Sequence, residues 1–369
     1  MEIIHIVLGK ANPERMNGVN KVVHQLATRQ SKAGLKVSVW GITATPEHNY
    51  GERNFTTRLF QKQRNPFRAD EKLLEAILQK NYEAVFHLHG GWVPVFSSIA
   101  NFMGHHRIKF VFTPHGAYNT IAMRRNALVK KMYFRFFEKS LLQNARHIHC
   151  IGQSEVSGLG GIYNNNKAAL LPYGFECPQQ PMPWLQTKTP FVFGFVGRLD
   201  IYTKGLDLLL NAFSRFHSQQ PGAQLWIVGD GPGKARLMQL ARRLHIREQV
   251  IFYGSRFGNE KNTLINGMHA FVHPSRNEGL PASVLEACSF GVPCIVSKAT
   301  NVTEHVVKHQ AGYSIQNDNV NELFEAMLKL YNASATGTYS AMRKGAMQLV
   351  KAEFDWDTLI PQFTKLYVA

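Results

Sequence analysis

Short apolar runs alternate with helix-length stretches along this chain, and the alternation breaks off once and then starts again. The run Glu2-Ile3-Ile4-His5-Ile6-Val7-Leu8 is followed by a polar loop through Gly18, then by Val19, Val22, Val23 and Leu26 at helical spacing. Gly34 closes that stretch, and a second run extends from Leu35 to Trp40. A strand, a helix and a second strand in this order form a βαβ unit, because parallel strands need a crossover and a helix supplies it. Further runs at Ala84 to Leu88, Phe110 to Thr113 and His147 to Ile151 are each separated by enough residues for a helix. Unbroken apolar runs belong to strands covered on both faces, which predicts a parallel sheet between two helical layers.

The break lies at Glu176 to Pro190, where prolines at 178, 181, 183 and 190 leave little periodic structure, as in a linker between domains. The alternation then resumes, with strands expected at Phe191 to Val196, Gln224 to Val228, Val250 to Tyr253, Ala270 to His273 and Pro293 to Val296. Helices are expected at Gly205 to Gln219, Pro232 to Leu244, Pro281 to Phe290, Val302 to His309 and Val320 to Tyr331. The expected architecture is α/β: a Rossmann-like domain over 1–175, a linker over 176–190 and a second Rossmann-like domain over 191–353, with parallel sheets facing a central cleft. Open α/β sheets bind ligands beyond the carboxyl ends of their strands, so the loops after the strands carry the candidate site residues.

Composition narrows the classes of function. A chain of 369 residues exceeds what one hydrophobic core usually supports. With 44% hydrophobic and 18% charged residues, it has the make-up of an ordinary folded protein rather than a disordered one. No apolar run is long enough to span a bilayer, and the first is too short for a signal peptide, so a cytoplasmic location is expected. Cys150, Cys177, Cys288 and Cys294 lack metal-site or disulfide spacing and read as packing residues. The net charge is +17, and residues 1–180 hold 23 Lys and Arg against 11 Asp and Glu, or +12 of it. That excess favours an anionic partner, and composition alone does not distinguish a nucleic acid, a membrane face and a phosphorylated substrate.

The densest motif is His273-Pro274-Ser275-Arg276-Asn277-Glu278-Gly279-Leu280-Pro281, continued by Ala282-Ser283-Val284-Leu285-Glu286-Ala287. It reads as a strand end, a turn containing Gly279, and a helix with proline at its start. A helix start offers unpaired amides and the positive end of the dipole, so residues 279–283, including Gly279, Leu280, Pro281 and Ser283, are expected to cradle a diphosphate. Glu286, in the second turn, is placed to accept hydrogen bonds from ribose hydroxyls, and Glu278 to reach a sugar. An isolated pair of glutamates at this spacing is more commonly a turn residue and a helix residue paired with lysine. Phe195-Val196-Gly197-Arg198-Leu199-Asp200, followed by Lys204-Gly205, sets a guanidinium and an ammonium after a strand, where both can neutralise a diphosphate and stabilise it as it departs. Gly229, Gly231 and Gly254 read equally well as tight strand-to-helix turns and as ligand contacts.

On these residues the chain resembles the retaining glycosyltransferases of family 4, with Glu278 and Glu286 matching the E-x7-E element. Arg198 and Lys204 match the family's Arg and Lys, and Trp226-Ile227-Val228-Gly229-Asp230-Gly231-Pro232 and Tyr253-Gly254 match further family turns. The resemblance implies the GT-B fold, a nucleoside-diphosphate sugar as donor, transfer with retention, and no metal or other cofactor. It also implies that the last segment, 354–369, returns to the first domain. Gly18, in Met16-Asn17-Gly18-Val19, takes the place of the family's glycine loop near donor or acceptor, and His115, in Phe112-Thr113-Pro114-His115-Gly116, that of a histidine bonded to the donor sugar. Catalytic roles are thus expected for Arg198, Lys204, His115 and Glu278.

His87 and His89 share a strand face, but no third metal ligand is apparent, and packing or acceptor contact is the preferred role. Met123 to Arg146 mixes Arg124, Arg125, Lys130, Lys131, Arg135 and Lys139 with Met132, Tyr133, Phe134, Phe136 and Phe137. It reads as an amphipathic helix on an anionic membrane surface, or as a solvated helix with its aromatics in the core. The expected function is sugar transfer to a glycan or lipid-linked glycan in surface polysaccharide or lipopolysaccharide assembly, with no nucleic-acid partner. A GT-B-like epimerase or phosphorylase, or a polyanion or nucleic-acid binding protein, are the alternatives.

Overall fold

Two parallel sheets organise the chain, whose computed structural model describes residues 1–12, 18–124, 126–164, 166–176 and 190–368. The chain divides into two units, Met1–Gly174 with Trp356–Ala369 and Phe175–Asp355. Most of the expected linker, 177–189, lies outside the described residues, as do Met16, Asn17 and Arg125.

In the first unit the strands are β1 (Glu2–Leu8), β2 (Lys36–Thr43), β3 (Thr56–Gln61), β4 (Ala84–His89), β5 (Phe110–Thr113), β6 (His147–Cys150) and β7 (Ala168–Leu170). They form one sheet in the order β3-β2-β1-β4-β5-β6-β7, with every pair parallel. Strand alternation sends Ile4, Ile6, Phe86, Leu88, Phe110 and Phe112 into one core and Ile3, Val7, Val85 and Val111 into another on the opposite face. The helix Trp356–Val368 packs on the second face, where Trp356, Phe363 and Tyr367 are buried. Gly174 fits beside it because a Cβ there would lie 2.3 Å from the Trp356 ring.

The second unit repeats the plan with β8 (Val192–Val196), β9 (Gln224–Val228), β10 (Val250–Gly254), β11 (Ala270–His273), β12 (Cys294–Ser297) and β13 (Gly312–Ile315). Their order is β10-β9-β8-β11-β12-β13, again parallel throughout. In each sheet the order reverses at one point, between β1 and β4 and between β8 and β11. The crevice beyond the carboxyl ends of such strands is where doubly wound sheets bind ligands.

The stretch Met123 to Arg146 is not one helix. It is divided into Thr120–Arg124, Ala127–Tyr133, a π-helical turn Phe134–Glu138 and Lys139–Asn144. Its aromatics are not all in the core either: Phe136 is 66% exposed, as are Leu128 (80%), Val129 (68%) and Met132 (64%). Buried Glu138 explains the break. Its carboxylate accepts the Trp92 backbone N–H at 2.9 Å and the Tyr118 hydroxyl at 2.5 Å, and the π turn brings it inward against the helical period. Among the described residues, no helix is long and apolar enough to cross a membrane.

Candidate functional site

At the switch point of the second sheet, two loops meet. The loop after β8 carries Arg198, whose backbone carbonyl accepts the Asp200 N–H at 2.9 Å and whose side chain is exposed. Asp200 caps the short helix Ile201–Lys204 by accepting the Thr203 N–H at 3.0 Å. Lys204 therefore belongs to a separate helical turn before the long helix Leu206–Gln219. Gly205 joins the two helices in the left-handed region, φ 65°, and a Cβ there would stand 2.1 Å from the Pro274 carbonyl oxygen. The loops after β8 and β11 can thus touch only where the side chain is absent.

The loop after β11 is held in place from both sides. Arg276 donates to both carboxylate oxygens of Asp207, at 2.8 and 2.9 Å, and also to Asp318. Ser275 is fully buried, and its hydroxyl donates to the Thr203 carbonyl at 2.6 Å. Glu278 bridges to Thr300, and the Asn301 amide donates to the Gly279 carbonyl at 3.3 Å.

Glu278 accepts from Lys204 and, at 3.3 Å, from His273 Nε2. Burial pushes this carboxyl up, but His273 and Lys204 outweigh burial and hold it down at about 2, so it is ionised at neutral pH. His273 is 1% exposed, and burial lowers its pKa despite the neighbouring carboxylate. Eight residues beyond Glu278, Glu286 accepts from Lys261 at 2.7 Å. Both glutamates are therefore paired with lysine, the arrangement expected of a purely structural pair, yet both lysines come from other elements and converge on one helix start.

That helix is Ala282–Ser289. Pro281 is its N-cap residue and makes no side-chain cap hydrogen bond. Gly279, Leu280 and Ser283 are half-buried around it, and the amides of a first turn have no intrahelical partner. Gly229 and Gly231 serve packing: a Cβ on Gly229, φ 138°, would lie 1.9 Å from the Gly197 oxygen, and one on Gly231 would lie 2.8 Å from the Leu199 nitrogen. Gly254, φ 70°, has no atom within 4 Å of its Cβ position. Lys261 and His273 were absent from the expected site. Lys261 lies in a helix, Gly258–Asn266, that no clear periodicity announces.

In the first unit, His115 follows β5 with φ 55°, and Gly116 follows with φ 80°. A histidine in the left-handed region is a strained residue of the kind that collects at binding sites. Its half-buried ring stacks on Tyr173 at 5.5 Å between centroids, and burial lowers its pKa to about 3. Gly18 is the first residue of the helix Gly18–Lys32. His89 has the packing role: it is 1% exposed, and its nitrogens face His5 at 2.9 Å and His115 at 3.0 Å. The third imidazole that the sequence did not disclose is His5, opposite His87 in the β1–β4 register. Lys131 is exposed, and Lys130 is half-buried, donating to the Ala122 carbonyl. The side chains of Arg124 and Arg125 lie outside the described residues.

Two doubly wound sheets, each with a charged or strained loop at its switch point, define an α/β protein built from two Rossmann-like units. Residues 16–176 match the profile of Glycosyltransferase Family 4, and residues 179–348 match that of Glycosyl transferases group 1. The chain belongs to this glycosyltransferase family. It is 27% identical over 180 residues to the phosphatidylinositol N-acetylglucosaminyltransferase gpi3 subunit of Schizosaccharomyces pombe, which covers 48% of this chain and 39% of that protein. Such curated matches cover 39% and 47% of the relatives concerned, so the chain spans less than half their length. In fold it is similar to the lipopolysaccharide outer core galactosyltransferase WaaB, with a TM-score of 0.75, 15% identity and 99% of each chain covered. It is also similar to Anabaena HepE in complex with UDP, with a TM-score of 0.74, 16% identity and 99% of each chain covered.

Proposed function

We propose that this chain is a retaining glycosyltransferase that moves a sugar from a nucleoside-diphosphate sugar to an acceptor hydroxyl. The observation that carries this reading is the helix start at Ala282, whose cap residue Pro281 makes no side-chain hydrogen bond and which two glutamates flank, each held by a lysine. Its first-turn amides, including that of Ser283, suit a diphosphate. Glu286, fixed by Lys261, accepts from the ribose hydroxyls. Glu278, kept ionised by His273 and Lys204, accepts from hydroxyls of the sugar.

In transfer, the bond from the anomeric carbon to the diphosphate oxygen breaks and its electron pair leaves with the diphosphate. The acceptor hydroxyl forms the new bond on the same face and gives up its proton. Arg198 and Lys204 stabilise the departing charge, a contribution that grows as the bond breaks. For His115 the family resemblance supports a hydrogen bond to a donor-sugar hydroxyl, and its strained backbone, φ 55°, is in keeping with a binding role. The HepE structure holds UDP, which supports a nucleotide donor here.

The acceptor we assign is a lipid-linked glycan at an anionic membrane surface, in lipopolysaccharide or related glycolipid assembly. The exposed stripe Leu128, Met132 and Phe136, with Lys131, Arg135 and Lys139 exposed beside it, offers apolar insertion together with cationic attraction. Calorimetric titration with UDP, GDP and ADP tests the central claim. Selective binding that is lost in Glu286→Ala supports the donor site, and silence from all three nucleotides overturns it.

A further inference from the structure

Five histidines line one face of the first sheet: His5 on β1, His87 and His89 on β4, His149 on β6, and His115 just after β5. They join through side-chain hydrogen bonds into one chain whose direction can be worked out atom by atom. It ends at a backbone carbonyl, that of Leu171, which lies 2.6 Å from His149 Nε2 and can only accept. His149 Nε2 is therefore the protonated nitrogen, and Nδ1 accepts from the Thr113 hydroxyl at 2.7 Å. The Thr113 oxygen in turn accepts from His87 Nε2 at 2.6 Å. His87 Nδ1 is then left to accept from the Tyr367 hydroxyl at 2.9 Å, whose oxygen accepts from the Gln30 amide nitrogen at 3.1 Å.

The Gln30 oxygen then accepts from His5 Nε2 at 2.7 Å. His5 Nδ1 accepts from His89 Nε2 at 2.9 Å, and His89 Nδ1 accepts from His115 Nε2 at 3.0 Å. Every donor along this path has an acceptor. Reversing the Gln30 amide would reverse every bond and leave a bare nitrogen lone pair facing the Leu171 oxygen, so the carbonyl excludes the reverse direction. The Tyr173 hydroxyl, 3.5 Å from His115 Nε2, offers a second, weaker acceptor and leaves the direction unchanged.

We infer that Gln30, His5, His87, His89, Thr113, His149 and Tyr367 are positioning residues that hold the His115 proton on Nε2, so that in the neutral ring Nδ1 can only accept a hydrogen bond. What His115 takes from a ligand must then be a donor, as a sugar hydroxyl is and a phosphate or carboxylate oxygen is not. This last consequence rests on the proposed transferase reading; the tautomer assignment does not.

The ring nitrogens of His5, His87 and His89 also lie within 4.8 Å of one another, close enough to invite a metal ion. Each of these nitrogens, however, already has its hydrogen-bond partner, and inserting a cation would break the chain at several bonds.

The test is nitrogen-15 NMR of the full chain labelled in histidine, recorded without nucleotide, so that failure of the transferase reading leaves it intact. The expected result is a single tautomer at His115, with a pyridine-type Nδ1 and a pyrrole-type Nε2 across neutral pH. A protonated Nδ1, or a tautomer mixture in the unmodified chain, overturns the proposal whether or not any variant folds. Thr113→Val removes the link between His87 and His149 and is expected to release His115 into a mixture. His89→Phe is expected to do the same, and His89→Asn to restore a single form. An unchanged His115 signature in folded Thr113→Val and His89→Phe overturns the relay, as does stoichiometric zinc uptake that shifts His5, His87 and His89 together.

Discussion

Lys261 Nζ lies 2.7 Å from Glu286 Oε1, and the two side chains are equally exposed, at 23%. This pair ties the helix Gly258–Asn266 to the helix Ala282–Ser289 and fixes the direction from which Glu286 can approach a ribose. Charge-assisted bonds contribute about 1.5–3 kcal/mol each, or roughly 10- to 150-fold in affinity. Glu286→Ala is expected to weaken nucleotide binding within that range, and Lys261→Met by a smaller factor, because the carboxylate keeps its ligand but loses its orientation. Calorimetry that shows equal nucleotide affinity in both variants and the unmodified chain would remove Glu286 from the site.

Gly229 meets the Gly197 oxygen where a Cβ would come within 1.9 Å, with φ at 138°. Gly18 has open space at the same position and begins a helix. Gly229→Ala is expected to cost more than about 2 kcal/mol, since overpacking and a disfavoured φ act together. Gly18→Ala is expected to be neutral, or stabilising by up to about 1 kcal/mol. Urea unfolding of both variants checks the contrast, and a loss of similar size at both positions would refute the packing account of Gly229.

The central strands of both sheets were legible because both their faces are buried, so their sequences are apolar throughout. The strands that escaped notice are β3, β7 and β13, each at a sheet edge and each with half-exposed residues. Polar residues interrupt β3 and β13, and β7 is only three residues long, which weakens the signal, whereas the edge strand β10 keeps an apolar run and was expected. At the site, Glu278, Glu286, Arg198 and Lys204 lie in strand-end motifs that sequence spacing picks out. Lys261 was missed because its partner Glu286 is 25 positions away on another helix, and His273 because its contact with Glu278, five residues on, depends on how the intervening loop folds back. The same holds for the histidine chain: His5 and His87 are 82 positions apart and become neighbours only through the β1–β4 register. The helical reading of Met123 to Arg146 failed locally, where buried Glu138 and its two partners impose a π turn.

Leu128, Met132 and Phe136 recur at helical spacing and are 80%, 64% and 66% exposed. A water-facing apolar stripe calls for a partner surface, and the basic residues beside it select an anionic one. Replacing all three with serine is expected to leave the unfolding temperature within about a degree, since exposed side chains contribute little to the core. Sedimentation with vesicles containing anionic lipid is expected to fall at least tenfold. Equal sedimentation of variant and parent would rule out the stripe as a membrane contact.

Acid should destabilise the chain below pH 6.5, and the buried groups of the first unit set the shape of the loss. Burial lowers His5 and His149 to about 4 and His115 to about 3, and lowers His87 and His89 well below their usual value. Unfolded histidines protonate near 6.5 while the folded ones stay neutral, so the unfolded state takes up more protons as pH falls. Each group then removes up to about 1.4 kcal/mol per pH unit. Glu138 and Glu155 act in the opposite sense. Burial raises both to about 7, so between pH 7 and their unfolded value of 4.5 the folded state is the one that holds extra protons, and stability rises as pH falls. With five histidines against two carboxyls, the net slope between pH 6.5 and 4.5 is a loss. It steepens below 4.5, where the carboxyls no longer compensate and Glu278, held down at about 2, begins to withdraw its own contribution. Glu138→Gln removes one compensating group and is expected to steepen the loss between pH 6.5 and 4.5. Thermal unfolding measured from pH 8 to 4 checks this: a midpoint that stays level across that interval would mean that the five imidazoles are not held neutral in the folded chain.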